Sequence, residues 1–230
     1  MLTLNCAQAN IAVPIDIFTG KPIIMDIKTN ELIGQQEVVI NDGSDFIKFA
    51  KHIEANRTCR TTLMNDTSSR THCCVQFKLY KKVGENVHVS SFKLFDLAGS
   101  EKYDKCGAEA MEKAGKKSMN EMSEEFMEAI MTNNGLMHLG TVVRNINKLK
   151  KPITGGEKLP DVTGWKGTAI TTLLKSSFFG TAFTCFIFCI SQHEKNGREG
   201  WNTMELAQDC SKMRTNVIRP ESFNLKSYTK

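Results

Sequence analysis

Hydrophobic and polar positions alternate most clearly between residues 73 and 95. Val75, Phe77 and Leu79 alternate with their neighbours, Gly84-Glu85-Asn86 turns the chain, and an apolar-rich extended run resumes over 87–95. This pattern predicts a β-hairpin with strands over 73–80 and 87–95. Residues 1–40 are weakly patterned. Within them, 22–27 and 37–40 read as short strands separated by a turn near 29–34. Asn41-Asp42-Gly43-Ser44 offers a turn and a helix N-cap, and Phe46, Ile47, Phe49, Ala50 and Ile53 then follow a helical period.

Beyond Ser123 the period is again helical. Phe126, Ile130, Leu136, Leu139, Val143, Ile146 and Leu149 share one broad face of a predicted long helix. Residues 151–167 read as a Gly- and Pro-punctuated loop, 168–175 as a short helix, 183–190 as a buried strand and 201–213 as a final helix. Trp201 is expected as a core anchor. The tail from Val217 has no strong pattern. Strands alternating with helices predict an α/β fold, a layered central mixed β-sheet flanked by helices.

At 230 residues and 40% hydrophobic, the chain can bury a sizeable core and is not of disordered or collagen-like composition. The net charge is +5 and unevenly spread. Between Thr141 and Lys175 seven bases (Arg144, Lys148, Lys150, Lys151, Lys158, Lys166, Lys175) face two acids, Glu157 and Asp161. A basic segment of this kind suits an acidic partner, with nucleic acid and a polyanionic protein surface both candidates.

None of the eight cysteines forms a Cys-x-x-Cys pair or a zinc spacing. Cys185 and Cys189 sit in an apolar run and are expected as packed small hydrophobes. Residues 1–20 have no basic n-region and no clear cleavage site. The uncharged run 176–192 stops short of a membrane-spanning length. A soluble protein of a reducing compartment is expected. His72, His138 and His193 have no ligand-like arrangement and are expected only to pack or to meet solvent.

Two strings carry candidate chemistry. Asp96-Leu97-Ala98-Gly99-Ser100-Glu101 follows a predicted strand. A carboxylate at a strand's carboxyl end can hold Mg²⁺ through water, and a glycine lets its N–H approach a γ-phosphate. Asp-x-x-Gly alone is a weak signal, because ordinary turns produce it. Asn65-Asp66-Thr67-Ser68-Ser69-Arg70-Thr71-His72 gathers an amide, hydroxyls and a guanidinium just before the first hairpin strand. Alone, it reads first as a Ser/Thr-rich surface loop with a helix cap.

Together the strings resemble the kinesin motor family. Asn65-x-x-Ser68-Ser69-Arg70-Thr71-His72 matches that family's first switch with Thr71 for its last Ser, and Asp96–Glu101 matches the second switch at every position. Lys102–Glu109 is similar to the loop that follows in conventional kinesins. Glu128-Ala129, Asn133, Leu136 and Leu139-Gly140 resemble the family's Glu-Ala-x-x-Ile-Asn-x-Ser-Leu-x-x-Leu-Gly helix, with Thr132 and Gly135 in place of its Ile and Ser. Residues 164–174 and 177–184 resemble the two segments that follow. Asn196, Glu199, Thr203 and Ala207 fall where the last motor helix has the same residues.

The resemblance implies a kinesin-like P-loop NTPase fold, incomplete at the N-terminal side, over 1–215, with a neck-linker-like tail at 216–230. It implies ATP and Mg²⁺ as cofactors. Ser69 would ligate the metal and Asp96 would hold it through water. Asn65 belongs to the first switch, Ser68 would face the γ-phosphate and attacking water, and the Gly99 N–H would sense the γ-phosphate. Arg70 and Glu101 would form a latch between the switches. The tubulin face would comprise Lys105, Asn133, Lys148, Lys150, Lys151, Lys158, Lys166, Thr168 and Lys175. The implied setting is cytoplasmic and microtubule-associated, with a partner kinesin chain as a further candidate and neither nucleic acid nor membrane.

The departures are specific. No Gly-x-x-x-x-Gly-Lys-Ser/Thr precedes the first switch, and Gly115-Lys116-Lys117-Ser118 is a decoy with Ala110 where the first Gly is needed. The polar stretch between Ala110 and Phe126 is longer than usual in the family. Ala169 replaces a Lys of the tubulin-facing segment. Two readings stay open: a motor domain whose phosphate loop lies in other sequence, and a nucleotide-dead module that binds microtubules or a partner motor. A small GTPase is disfavoured, because Asn147-Lys148-Leu149-Lys150 lacks the guanine-reading Asp.

Overall fold

The computed structural model describes residues 1–9, 14–25, 32–57, 72–98, 124–155, 157, 162, 168–180, 182–218 and 223–224. In chain order the elements are β1 (Leu2–Ala9), β2 (Ile15–Asp16), β3 (Ile24–Met25), β4 (Leu32–Ile33), β5 (Val38–Ile40), α1 (Gly43–Asn56), β6 (His72–Val83) and β7 (Asn86–Asp96). There follow α2 (Glu124–Asn147), β8 (Ile153–Thr154), α3 (Ala169–Leu173), α4 (Lys175–Phe178), α5 (Gly197–Ser211), β9 (Thr215–Asn216) and β10 (Phe223–Asn224).

The predicted hairpin is present. β6 and β7 pair antiparallel from Cys73↔Asp96 to Val83↔Asn86, closed by Gly84 at φ +62°. The larger sheet runs β10-β7-β6-β1-β2, with β5 also on β1. Its ladders among the described residues are all antiparallel, where a mixed sheet was expected. The hairpin β6–β7 and the short β1–β2 connection give antiparallel neighbours directly, while β6 and β10 return to β1 and β7 over long connections. The parallel pair, β8 with β9, stands apart.

β1 went unpredicted, yet it lies inside the sheet, paired with β6 along its length. Thr3, Asn5 and Gln8 are buried beside Leu4, Cys6 and Ala7, so polar and apolar residues do not sort by face. Thr3 Oγ1 donates to Glu37 Oε2 at 3.0 Å, and Asn5 Nδ2 donates to Gln76 Oε1 at 3.4 Å. Asp16 is fully buried, and its carboxylate accepts N–H bonds from Phe18, Thr19 and Gln36 at 2.8, 2.9 and 2.5 Å. That set of bonds fixes the turn after β2 and ties it to the approach to β5.

Each sheet face has its own cover. On one, Phe46 of α1 stacks on Phe77 at 6.1 Å, and Ile53 packs against Cys6, Ile17 and Cys73. α1 starts at the expected cap, with Asp42 accepting from Ser44 N–H at 2.7 Å and Asp45 N–H at 3.2 Å. On the other face, Ala7, Cys74 and Phe95 meet Ala169 and Leu173 of α3. Beneath lies the largest core, where Leu139, Val142, Val143 and Ile146 of α2 pack on Ile170, Leu174, Phe178 and Phe179. The predicted α2 stripe is therefore the core-facing one. Phe126 and Ile130 lie among the α2 side chains outside the described residues.

Several expectations are corrected. Residues 183–190, expected as a buried strand, carry no strand and join no ladder among the described residues, and Phe183 and Ile187 are 91% and 86% exposed. Cys185 and Cys189 are likewise exposed. Trp201 is 60% exposed, its indole N–H bonded to Glu205 Oε1 at 3.0 Å across one turn of α5. The predicted short helix divides at Leu174 into α3 and α4. Among the described residues, no helix is long and apolar enough to cross a membrane.

Candidate nucleotide-switch site

β7 delivers Asp96 to the end of the sheet, opposite Cys73 on β6. Its side chain is 67% exposed, and Oδ2 lies 2.6 Å from Nη1 of Arg57, whose side chain is only 18% exposed. Arg57 is the C-cap of α1, and its N–H donates to Ile53 O at 2.9 Å. A short charged contact thus joins the end of α1 to the end of the switch strand. Sequence reading missed Arg57. The signal was a lone Arg at a helix end, and only the fold brings it to Asp96.

After Asp96 the chain turns inward. Leu97 packs on the α2 core and Ala98 is 5% exposed. Ala98 N–H donates to Nδ1 of His72 at 3.1 Å. His72, expected only to pack or to meet solvent, is 4% exposed and holds the last residue before Gly99. Burial pushes its pKa down to about 4, the Arg57 charge adds to that and the Asp96 charge opposes it. The ring is neutral near pH 7. Because Nδ1 accepts, the proton resides on Nε2.

Next to this corner, the Cys6 and Cys73 sulfurs lie 3.7 Å apart, both buried. Their shared hydrogen bond, with burial, pushes the Cys6 thiol up, and burial pushes Cys74 up to about 12. The same hydrogen bond draws the Cys73 thiol down, while Cys6 and Cys74 are protonated packing groups.

Of the expected site residues, only part falls within the described structure. Asn65, Ser68, Ser69, Arg70, Gly99, Glu101, Lys105, Lys158 and Lys166 lie outside it, as does the side chain of Asn133. Lys148, Lys150 and Lys151 are exposed together just past the end of α2. Thr168 is the N-cap of α3 in a capping box with Thr171, its Oγ1 accepting the Thr171 N–H at 3.4 Å. Lys175 is half-buried. No group of three His, Cys, Asp or Glu residues able to hold a metal stands among the described residues.

The tail is also placed. Gly155 N–H donates to Asn216 O at 3.0 Å, and Ile218 N–H donates to Gly180 O at 3.2 Å. β10 then pairs antiparallel with the start of β7, Phe223↔Val87 and Asn224↔Asn86.

A mixed α/β fold with an acidic residue closing a strand defines a broad class. The comparisons narrow it. The kinesin motor domain model matches residues 21–213. The chain belongs to the kinesin motor domain family. It is 29% identical over 207 residues to the human kinesin-like protein KIF27, covering 83% of this chain and 13% of that protein. It is 28% identical over 192 residues to the mouse chromosome-associated kinesin KIF4, covering 82% and 14%. The chain therefore spans a small part of the length of these relatives.

Among solved structures, a KIF14 dimer in the two-heads-bound state, with AMP-PNP and in complex with a microtubule, aligns with a TM-score of 0.74 at 20% identity. The alignment covers 96% of this chain and 60% of that one. A KIF14 structure with ADP, also in complex with a microtubule, aligns with a TM-score of 0.70 at 19% identity, covering 97% and 62%. At these identities the likeness is one of fold.

Proposed function

We propose that this chain is the switch-bearing part of a kinesin-type motor domain that binds microtubules. ATP binding and hydrolysis would couple to movement when polypeptide outside these 230 residues supplies the phosphate loop. The observation that carries the reading is the corner at Asp96. A strand ends in an open carboxylate, a guanidinium from α1 closes on it, and the next buried N–H is held by the last residue of the first switch string. The KIF14 structures carry AMP-PNP or ADP and sit on microtubules, which supports the same ligand and partner here.

The described residues do not fit a Mg²⁺ site as they stand. Asp96 is the one expected ligand among them, and its carboxylate is engaged by Arg57. No hydrolytic step is derived through the metal.

Completion by added polypeptide is supported by the sheet. Beyond Val87, the outer edge of β7 carries no ladder among the described residues, and Phe92 and Leu94 are 61% and 50% exposed. Residues 183–190 are apolar and join no ladder among the described residues, yet Phe186 leans on the same core as Phe95 and Leu97. An unfinished strand edge beside an apolar segment on the same core suits an additional strand.

The test is co-sedimentation of the 230-residue chain with microtubules, with and without AMP-PNP. Pelleting that ignores nucleotide is the expected result. Absence of pelleting in both conditions overturns the microtubule reading. Nucleotide-dependent pelleting overturns the need for an external phosphate loop.

A further inference from the structure

We infer that His72 is a positioning residue that ties the end of the switch strand to the long helix, with Gly135 as its socket. The ring sits between two elements. On one side Nδ1 accepts the Ala98 N–H at 3.1 Å, one residue before Gly99. On the other lies α2 at Gly135, where an added Cβ would stand 3.2 Å from Nε2 and 3.4 Å from Ile170 Cγ2. A side chain there would press on the ring, so glycine is what lets the helix backbone approach it.

The contact leaves one group unsatisfied. Nε2 carries the ring proton, is buried, and has no hydrogen-bond partner among the described residues. A buried N–H without an acceptor is costly and calls for a reason. The helix motif that α2 resembles has Ser where Gly135 stands. Gly135 thus exchanges a hydroxyl beside Nε2 for close packing. The result is a link from the Asp-Leu-Ala-Gly turn to α2 through one ring. It does not run through residues 99–123, the long polar stretch that otherwise joins them. A shift of the turn moves the ring, and the ring has little room to move without moving α2.

Three variants of the full chain test this: Gly135→Ala, Gly135→Ser and His72→Phe. Ala and Ser place the same Cβ against the ring, so their difference isolates the hydroxyl. With His72 present, Ser is expected to match or exceed Ala in thermal midpoint, because its oxygen accepts the Nε2 proton. In the His72→Phe background Ser is expected to fall below Ala, following helix propensity. The second readout is hydrogen exchange at Ala98 N–H, which residue 135 does not touch. Gly135→Ala should speed it severalfold and Gly135→Ser less so.

A third readout is the side-chain ¹⁵N spectrum, with His72 identified by its loss in His72→Phe. It should show a neutral ring protonated at Nε2, its proton moving downfield in Gly135→Ser. The inference is overturned if Ala98 exchange ignores residue 135, if the Ser-to-Ala order is the same with and without His72, or if the neutral ring carries its proton on Nδ1. None of these outcomes depends on microtubules or nucleotide, so the link and the motor reading stand or fall separately.

Discussion

Arg57 Nη1 lies 2.6 Å from Asp96 Oδ2, so the end of α1 is clasped to the end of β7 by a pair that is buried on one side and open on the other. The Asp96 side chain is 67% exposed, and solvent screens the attraction, which places the pair near the surface limit of about 1 kcal/mol. Arg57→Gln should lower unfolding free energy by about that amount in urea titrations. The loss should shrink at high salt. A loss of several kcal/mol would mean that the pair behaves as a buried one.

His72 gives the fold a pH dependence of known sign. Its folded pKa is about 4 against an ordinary 6.5, chiefly through burial. The unfolded chain therefore binds the proton more readily than the folded one. The stability from this group is fully present above pH 6.5 and is lost as pH falls towards 4. The whole span is about 3 kcal/mol. Thermal midpoints measured from pH 7.5 to 4.5 should fall more steeply for the natural chain than for His72→Phe. Parallel curves would show that His72 is not buried as a neutral ring.

Gly155 and Gly180 set the path of the tail. A Cβ on Gly155 would stand 2.1 Å from Gly180 O, and Gly180 has φ +75°. Gly155→Ala cannot keep both the β8–β9 pair and the Ile218 bond to Gly180. It should cost about 1–3 kcal/mol as overpacking and release the chain after Met213. Trypsin cleavage at Arg214 should then accelerate severalfold, while the α2 core stays protected. Unchanged cleavage would show that the two glycines are not what holds the tail.

Phe178 is 1% exposed in the cluster built on α2, α3 and α4. Phe178→Ala should cost about 3–5 kcal/mol, read from the urea midpoint at constant slope. Trp201→Ala, at a site 60% exposed, should cost far less, although the sequence led to the expectation that Trp201 is a core anchor.

That contrast shows what sequence pattern carried. The hairpin and the α2 stripe were legible because burial on one side imposes a period of 2 or 3.6. β1 was not, because Asn5 and Gln8 are buried along with the apolar residues and no face stands out. Arg57 was invisible for a different reason: its role comes from where α1 ends relative to β7. His72 stood within a recognised motif, but its contact with Gly135 is a matter of shape. Residues 183–190 fit a strand pattern, but the structure forms no strand there, and among the described residues no neighbour pairs with them.

Ile187 is 86% exposed on an unladdered segment, so Ile187→Lys should change the stability of the 230-residue chain by no more than about 0.5 kcal/mol. It should also reduce light scattering on concentration, because a charge on an open apolar edge opposes strand-to-strand association. The buried strand that the sequence pattern predicts requires the opposite, a loss of about 3 kcal/mol or more from placing a lone charge in a core. When the chain is joined to polypeptide that adds a strand beside 183–190, the same substitution should become costly. Ile187 would then pass from solvent to interior, and the difference in cost between the two forms measures how far the added strand covers it.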